Sequence, residues 1–180
     1  PLPGGRREIN WDGGGPPVIN GTAPATPFTV FQNTRGATFT TAGSGLTQAA
    51  PTGGLLSLDL INPTYAAAFS TFSANRLFTP IGSNVTDATF SGPGTSGSLP
   101  ATVRGFGAVF TDVDLANSSG IDFFSPFGDL LGSFSVPAGT TANGSLAFLG
   151  VIFDAGERIG GVRITSGNTA LGPTDDPGGG

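Results

Sequence analysis

The sequence contains no histidine, cysteine, methionine or lysine, and its seven basic residues are all arginine. Without histidine, cysteine and lysine, the chain has no imidazole base, no thiolate nucleophile and no amine that could form a Schiff base. It also lacks imidazole and thiolate ligands for a metal, and it cannot form disulfide bonds. These absences predict a protein that acts by binding or by building a structure rather than by catalysis, but they do not name its ligand.

Charge is scarce as well. Charged residues make up only 11% of the chain, and the formal net charge is −5. The scattered arginines form no basic stripe that could neutralise phosphates, so we expect no binding to nucleic acid. No apolar run is long enough to cross a bilayer, so we expect no membrane span. A surface of hydroxyls and amides with few charges is typical of exported all-β proteins, which predicts an extracellular or cell-surface location.

Glycine, proline and phenylalanine are abundant. The 31 glycines and 15 prolines approach a low-complexity composition, but the 15 phenylalanines require a dry interior, which argues against disorder. A chain of 180 residues with 37% hydrophobic residues can bury the core of one domain. We divide it into an extended Gly- and Pro-rich arm at 1–27, anchored by Trp11, a folded domain at 28–171 and a flexible tail at 172–180.

The sequence between the arm and the tail is dominated by short β-type runs that Gly, Pro, Asn and Thr separate. Asn62-Pro63 predicts the start of a short helix that continues to Phe69, and we expect no other helix. Residues 125–128, Ser-Pro-Phe-Gly, predict a turn that joins the flanking strands as a hairpin. The expected strands are Phe28 to Gln32, Ala37 to Thr41, Leu55 to Ile61, Val85 to Phe90, Val103 to Asp114, Gly120 to Phe124, Leu130 to Val136, Ser145 to Phe153 and Arg158 to Thr165.

These strands predict an all-β fold. The run from Val103 to Asp114 has apolar residues on both faces, so we expect it to lie centrally in a sheet. Many short strands joined by turns at this spacing indicate a two-sheet antiparallel β-sandwich, jelly-roll-like, with the extended arm at its amino terminus.

The best candidate for ion chemistry lies at the end of that central strand. Asp112 and Asp114 alternate onto one side, and Asn117 with backbone carbonyls of the following turn could complete an oxygen cage for Ca²⁺. The spacing is not that of an EF-hand loop. The alternative interpretation, which we favour, is that these side chains cap the turn by accepting hydrogen bonds from nearby backbone N–H groups.

Aromatic side chains are the second candidate site, because their faces pack on the C–H face of a sugar ring. Trp11, Tyr65 and the turn residue Phe127 are the candidates for binding an extracellular glycan. The alternative is that the aromatic residues belong to the core, as most do. Glu8 and Asp12 flank Trp11 in the manner of a glycoside hydrolase carboxylate pair, but ion pairing around a buried Trp11 explains them better.

Four Asn-X-Ser/Thr tripeptides begin at Asn20, Asn84, Asn117 and Asn143. They are acceptors for N-glycosylation only in a host that performs it, and they also arise by chance in a chain rich in Ser and Thr. In either case they predict surface turns.

Four stretches carry a family resemblance: "GGRREINWDG", "RLFTPIGSNVTDATF", "RGFGAVFTDVDLANSSGIDFF" and "LAFLGVIFDAGERIGGVRITSGNTALG". Through them the chain, from about Gly4 to Gly172, resembles exported bacterial proteins that often carry PEP-CTERM-type sorting signals. The resemblance implies secretion and a lectin-like or adhesin-like β-sandwich, with no established activity or catalytic residues. Similar proteins continue into a further strand and a sorting segment, whereas this sequence stops at Gly180.

A missing final strand would leave one sheet with an unpaired edge, and such edges recruit strands from neighbouring molecules. The arm at 1–27 is then a candidate donor strand. We therefore expect a non-enzymatic protein of the bacterial surface or matrix that acts by adhesion or by self-assembly, as a homo-oligomer or filament. The competing prediction is a calcium-assisted carbohydrate-binding module.

Overall fold

The computed structural model describes residues 5–13, 22–139 and 143–174. Within these ranges, strands dominate and the helices are single turns. No helix in the described ranges is long and apolar enough to cross a membrane. The strands are β1 Ala37–Thr40, β2 Gly45–Ala49, β3 Leu77–Ile81, β4 Val85–Phe90, β5 Gly105–Thr111, β6 Gly120–Phe124, β7 Leu130–Ser135, β8 Leu146–Ile152 and β9 Gly161–Thr165; the helices are α1 Gln32–Arg35 and α2 Tyr65–Ala68, with a 3₁₀ turn at Leu58–Leu60.

Five strands form the larger sheet, in the order β1-β4-β9-β6-β7, and every neighbouring pair is antiparallel. Because side chains alternate along a strand, one face of this sheet is apolar and the other polar. Ala88, Phe123 and Val162 lie on the buried inner face. Asp87 and Arg163 lie on the outer face, where the guanidinium donates to both carboxylate oxygens at 2.8 and 3.1 Å.

Two smaller sheets, β2-β3 and β5-β8, lie across the core from the larger sheet. Leu46 and Phe78 from the first, and Phe110 and Leu149 from the second, pack into one cluster with the inner face of the five-stranded sheet. This arrangement confirms the all-β antiparallel, sandwich-like fold. The second layer is divided between two pairs of strands rather than formed by one continuous sheet.

Several predicted elements are confirmed. The turn at 125–128 joins β6 to β7 as a hairpin, and Gly128 in the turn has φ +90°. The helix expected after Asn62-Pro63 is present as α2, within the predicted span. The strand predicted from Gly120 to Phe124 coincides with β6.

Two predicted strands are wrong. In the run from Phe28 to Gln32, Phe28 makes only an isolated bridge to Phe39, and the chain then turns into α1, which Gly36 ends at φ +73°. Glycine at this position tolerates the left-handed conformation that closes a helix. In the run from Leu55 to Ile61, the Ser57 hydroxyl bonds back to the Gly54 carbonyl, and a 3₁₀ turn forms instead of a strand. The expectation of a single short helix is also wrong, because α1 is a second one.

The sequence analysis missed β2 and β3. The β2 segment, Gly-Leu-Thr-Gln-Ala, carries little of the β-branched or aromatic character that marks a strand. Proline within β3 also argued against a strand, yet Pro80 is tolerated because β3 pairs only with β2 in the described residues. The expectation that the strand beginning at Val103 is central is likewise wrong, because β5 pairs only with β8 along its described length.

The described parts of the amino-terminal arm are docked on the body of the same chain. Trp11 stacks on Phe78, with ring centroids 4.1 Å apart and ring planes 6° apart. The buried Gln48 side chain donates to the carbonyls of Trp11 and Gly13. Residue Ala25 exchanges two backbone hydrogen bonds with Leu46. Residues 5–13 and 22–27 thus already use these contacts within their own chain, which argues against them as a loose donor strand.

Candidate functional site

The outer face of the β5-β8 sheet is apolar, and no described residue covers it. One face of β8 packs on the core, and the alternate residues point away from it. Among these, Leu146 is 45% exposed, Phe148 is 65% exposed and Ile152 is 72% exposed. Residues opposite each other in the register share a face. The outer apolar face therefore consists of Leu146, Phe148, Gly150 and Ile152 on β8 and of Thr111, Val109, Gly107 and Gly105 opposite them on β5.

This face is large enough to be a binding surface. A large side chain offers about 150–250 Å² of surface when fully exposed, so Leu146, Phe148 and Ile152 together expose roughly 300 Å². The largest apolar patch on a typical monomer is of that order, and such patches are often functional. By contrast, the outer face of the five-stranded sheet carries Asp87, Arg163 and Asp122 side by side on neighbouring strands. The two outer faces of the molecule are thus chemically different.

Two paired glycines shape the outer apolar face. Gly107 lies opposite Gly150 in the register. A Cβ atom built on Gly150 would lie 2.6 Å from Phe148 Cζ, and one built on Gly107 would lie 3.0 Å from the same atom. The Phe148 ring therefore lies across both glycines, and it leans from β8 toward β5. Side chains at either glycine would displace the ring.

The far edge of β8 is unpaired in the described part of the chain. The N–H of Asp112 donates to the Ser145 carbonyl, and the N–H of Phe153 donates to the Arg104 carbonyl, both at 2.8 Å. These bonds show that the odd-numbered residues of β8 direct their backbone groups toward β5. The backbone N–H and C=O groups of the even-numbered residues face the opposite edge, where no described strand pairs with them: Leu146, Phe148, Gly150 and Ile152.

The edge of β8 has none of the features that usually prevent edge-to-edge pairing. Proteins protect edge strands with charged residues, proline, bulges or very short strands. The β8 sequence, Leu-Ala-Phe-Leu-Gly-Val-Ile, is seven residues long and contains no charge and no proline. Its register with β5 is continuous, without a bulge. This edge is therefore open to another strand.

The acidic turn after β5 brings the two predicted aspartates into electrostatic contact. Asp112 has φ +58°, which ends the strand alternation, and its Oδ1 accepts a hydrogen bond from the Gly144 N–H at 3.3 Å. Burial, together with the charge of Asp114, raises the pKa of Asp112 above its usual range. Asn117 is engaged elsewhere, because its Oδ1 accepts from the Ser135 hydroxyl at 2.9 Å.

Two oxygens near this turn are buried without a hydrogen-bond partner, Asp114 Oδ1 and Ser145 Oγ. Ca²⁺ normally takes six to eight oxygen ligands. Across the described ranges, no three His, Cys, Asp or Glu side chains lie close enough together to hold a metal. Any cation here would depend on Asp112, Asp114, hydroxyls and backbone carbonyls, which is the weakly charged type of donor set that suits calcium.

We expect Asp112→Asn to stabilise the calcium-free protein at pH 7–8 and to have little effect near pH 3. The native state holds the Asp112 proton more tightly than the unfolded chain, so the free energy of unfolding falls as the pH rises above the usual Asp range. Asparagine removes this loss, tolerates φ +58° and keeps the acceptor for Gly144. Thermal unfolding across this pH range measures the effect.

Asp154→Asn is the control for that experiment, because the Asp154 carboxylate is exposed. This variant should show no comparable gain in stability at pH 7–8. A destabilised Asp112→Asn variant at pH 8 without calcium would contradict the prediction. If added calcium stabilises the wild type but not the variant, Asp112 is a ligand.

The predicted aromatic sugar-binding residues are not brought together into a platform. Tyr65 is fully buried, and its hydroxyl bonds to the backbone N–H and carbonyl of Gly172. The prediction that Tyr65 binds a ligand through an exposed ring is therefore wrong. The ring is buried, and its hydroxyl holds the carboxy-terminal segment. Trp11 is partly buried and packs against the core through Phe78, Phe31 and Phe39. Phe127 alone is exposed, at 92%, in the β6-β7 turn.

The residues beside Trp11 fix the amino-terminal segment rather than line a cleft. Glu8 pairs with Arg6 at 2.6 Å on the surface, and its backbone carbonyl accepts from the Arg35 guanidinium at 2.7 Å. Asp12 Oδ1 accepts from the backbone N–H of Arg76 at 2.8 Å. This favours the interpretation that the conspicuous "RREINWDG" stretch is structural.

The glycosylation acceptors lie in different environments. Asn84 is half-buried, and its side-chain amide donates to the Gly167 carbonyl at 2.8 Å. Asn117 and Asn143 are exposed. Asn20 lies outside the described residues, as does the tail from Asp175 onward.

The sequence analysis missed the outer apolar face, although its signal was present. The β8 segment was identified as a strand, but its continuous apolar run is equally typical of a strand with both faces buried. Only the three-dimensional arrangement shows that no other described layer covers one of those faces.

No protein-family model, curated protein or solved structure matches the chain.

Proposed function

We propose that this protein is a non-enzymatic structural subunit that assembles with copies of itself, outside a bacterial cell at the surface or in the matrix. The observation that carries the proposal is the outer apolar face of the β5-β8 sheet, with its neighbouring open edge. A face of this kind on a low-charge protein is stabilised by contact with another apolar surface.

The magnitudes favour reversible assembly rather than a permanent complex. Two copies of the face contribute roughly 600 Å² of apolar surface, twice the exposed area of one, and its burial would contribute roughly 15 kcal/mol. Association costs about 4–15 kcal/mol in lost translational and rotational freedom. Gain and cost are therefore of similar size, so assembly depends on protein concentration. Accumulation at a cell surface would favour it.

Two of the described acidic residues are held in surface ion pairs, which fits the non-enzymatic proposal. Glu8 is paired with Arg6, and Asp87 is paired with Arg163. These residues stabilise the surface in small increments, typically 0–1 kcal/mol for an exposed pair.

Replacing the central ring of the face tests the proposal. We expect the average mass of the wild-type protein to rise with concentration in sedimentation experiments. Phe148→Ser should raise the protein concentration needed for assembly by at least tenfold. Removing most of a buried aromatic contact at an interface commonly costs more than 1.4 kcal/mol, which is a factor of ten. Electron microscopy of the wild type distinguishes closed oligomers from filaments.

Phe127→Ser is the matched control, because it removes an equally large exposed ring that lies in a turn away from the face. It should leave assembly unchanged. A wild type that stays monomeric at all concentrations would overturn the proposal, as would equal effects of the two variants.

A calcium-assisted carbohydrate-binding function is the second candidate. The observation that favours it is the buried Asp114 Oδ1 without a hydrogen-bond partner beside Asp112. A glycan array with calcium and with a chelator tests it. Binding of a defined sugar that is lost with the chelator and in Asp114→Asn would support this function, and binding that survives both would exclude calcium from it.

A further inference from the structure

We propose that β8 pairs antiparallel with β8 of a second copy, across a twofold axis that passes through Leu149. This inference rests on the proposed self-assembly and specifies the strand and the register that perform it. In this register, Leu146 lies opposite Ile152 of the second copy, and Phe148 lies opposite Gly150 of the second copy. The two β5-β8 sheets become one sheet of four strands.

The backbone groups at the open edge fit this register. Leu146, Phe148, Gly150 and Ile152 are the residues whose N–H and C=O groups face away from β5. In the proposed pairing each of them meets another of the same set, so the two edges exchange hydrogen bonds. The central Leu149 pair is then a non-hydrogen-bonded pair, as the alternation of an antiparallel ladder requires.

The side chains of β8 are complementary to themselves in size. Phe148 opposes glycine on both sides of the axis, and the branched Leu146 opposes the branched Ile152. Shifting the register by two residues would place either two Phe148 rings or two Gly150 residues opposite each other. Because the Phe148 ring leans toward β5 over Gly107, it leaves the outer edge of β8 free for the second strand.

Charge does not oppose the pairing. The seven residues of β8 are uncharged, although the whole chain carries a net charge of −5. Asp154 is the nearest charged residue after the strand, and in this register it lies opposite Gly144 of the second copy. No acidic side chain in the strand pair therefore faces another, whereas like charges directly opposite each other would destabilise the sheet.

The exposed faces alone are too small for a stable interface. The two exposed faces supply roughly 600 Å², whereas a stable interface buries about 1,200–2,000 Å² in total. Edge pairing adds main-chain hydrogen bonds and the burial of the strand backbone. In the four-stranded sheet the two outer apolar faces lie side by side on the same side, so Leu146 and Phe148 contact the neighbouring strand laterally, and the joined face remains available for contact with further copies. We expect a dimer that dissociates on dilution.

Cysteine cross-linking tests the register, and the absence of native cysteine means that only introduced thiols react. In the proposed register, position 146 faces position 152 of the second copy, with Cα atoms about 5.5 Å apart, within disulfide range. Positions 146 of the two copies are about 20 Å apart, since a strand rises about 3.4 Å per residue. We therefore expect a mixture of Leu146→Cys and Ile152→Cys to form disulfide-linked dimers on mild oxidation, and each variant alone to form none.

The outcomes separate this inference from the broader proposal. Cross-linking of either single variant, or none in the mixture while the wild type still assembles, would overturn the β8 register and leave self-assembly standing. A monomeric wild type would overturn both. As a second measurement, Ile152→Lys should weaken dimerisation at least tenfold, whereas Leu55→Lys, at an exposed leucine far along the chain, should not.

Discussion

Replacing Trp11 with alanine is expected to lower the free energy of unfolding by about 3 kcal/mol, the lower end of the range for removing a large aromatic side chain from a core, because Trp11 is partly buried. The indole stacks on Phe78 and meets Phe31 and Phe39 edge-on, with centroids 5.7 and 5.5 Å away. Its loss opens a cavity among three rings and removes the anchor of residues 5–13. Because domains are typically stable by only 5–15 kcal/mol, this is a large fraction of the total.

Denaturant unfolding followed by far-UV circular dichroism measures the Trp11→Ala effect. It should be done at concentrations where the protein is monomeric, since assembly would add its own stabilisation. Phe127→Ala is the control and should change stability by less than about 0.5 kcal/mol, as surface substitutions usually do. A loss below about 1 kcal/mol for Trp11→Ala would mean that the amino-terminal segment is not part of the folded core.

Local sequence signals predicted much of the larger sheet. β1, β4, β6, β7 and β9 each lie within or beside a predicted run, because alternating apolar residues and turn residues define strands of this kind. The turn at 125–128 was also readable, since Pro and Gly there occupy positions that suit them. Strand order was not readable, because pairing depends on contacts between residues far apart in the chain.

The errors arise from a local hydrogen bond that was not recognised and from a contact between distant segments. The alternating leucines from Leu55 to Leu60 are typical of a strand, yet only Leu58 is buried, and the Ser57 hydroxyl stabilises a turn. The β2 strand lacks strong strand residues, and it is held by its pairing with β3 and by the Gln48 side chain, which donates to the Trp11 carbonyl. The Gln48 contact has no signature in the β2 sequence because Trp11 lies in a distant segment, whereas the bond from Ser57 to Gly54 is local.

The candidate sites differ in the same way: features within one segment were predicted, and features that depend on the whole fold were not. Chemistry that resides in one segment, such as the Asp112 and Asp114 pair, was found from the sequence and is brought into electrostatic contact by the fold. A surface defined by what fails to cover it cannot be read from residue types. Phe148 and Ile152 are residue types that usually occur in a core. They are exposed because no described layer covers the outer face of the β5-β8 sheet.

Gly36→Ala is expected to be the most damaging conservative substitution, with a loss of about 3 kcal/mol or more. Gly36 has φ +73°, where a side chain costs about 1–2 kcal/mol. In addition, a Cβ atom would lie 2.1 Å from the Ser91 carbonyl oxygen, which belongs to the backbone and has no rotamer that would relieve the overlap. Since the Gly36 carbonyl accepts from the Ser91 N–H at 2.8 Å, relief would pull β1 away from β4.

Gly94→Ala isolates the cause of that loss. Gly94 has φ +81°, but a Cβ atom there would meet nothing within 4 Å. It should therefore lose only the conformational cost of about 1–2 kcal/mol, and denaturant titrations of the two variants under identical conditions give the difference. An equal loss would mean that backbone conformation alone requires Gly36. A larger loss at Gly36 would show that the close approach of Gly36 to the Ser91 carbonyl, beside the pairing of β1 with β4, excludes a side chain there.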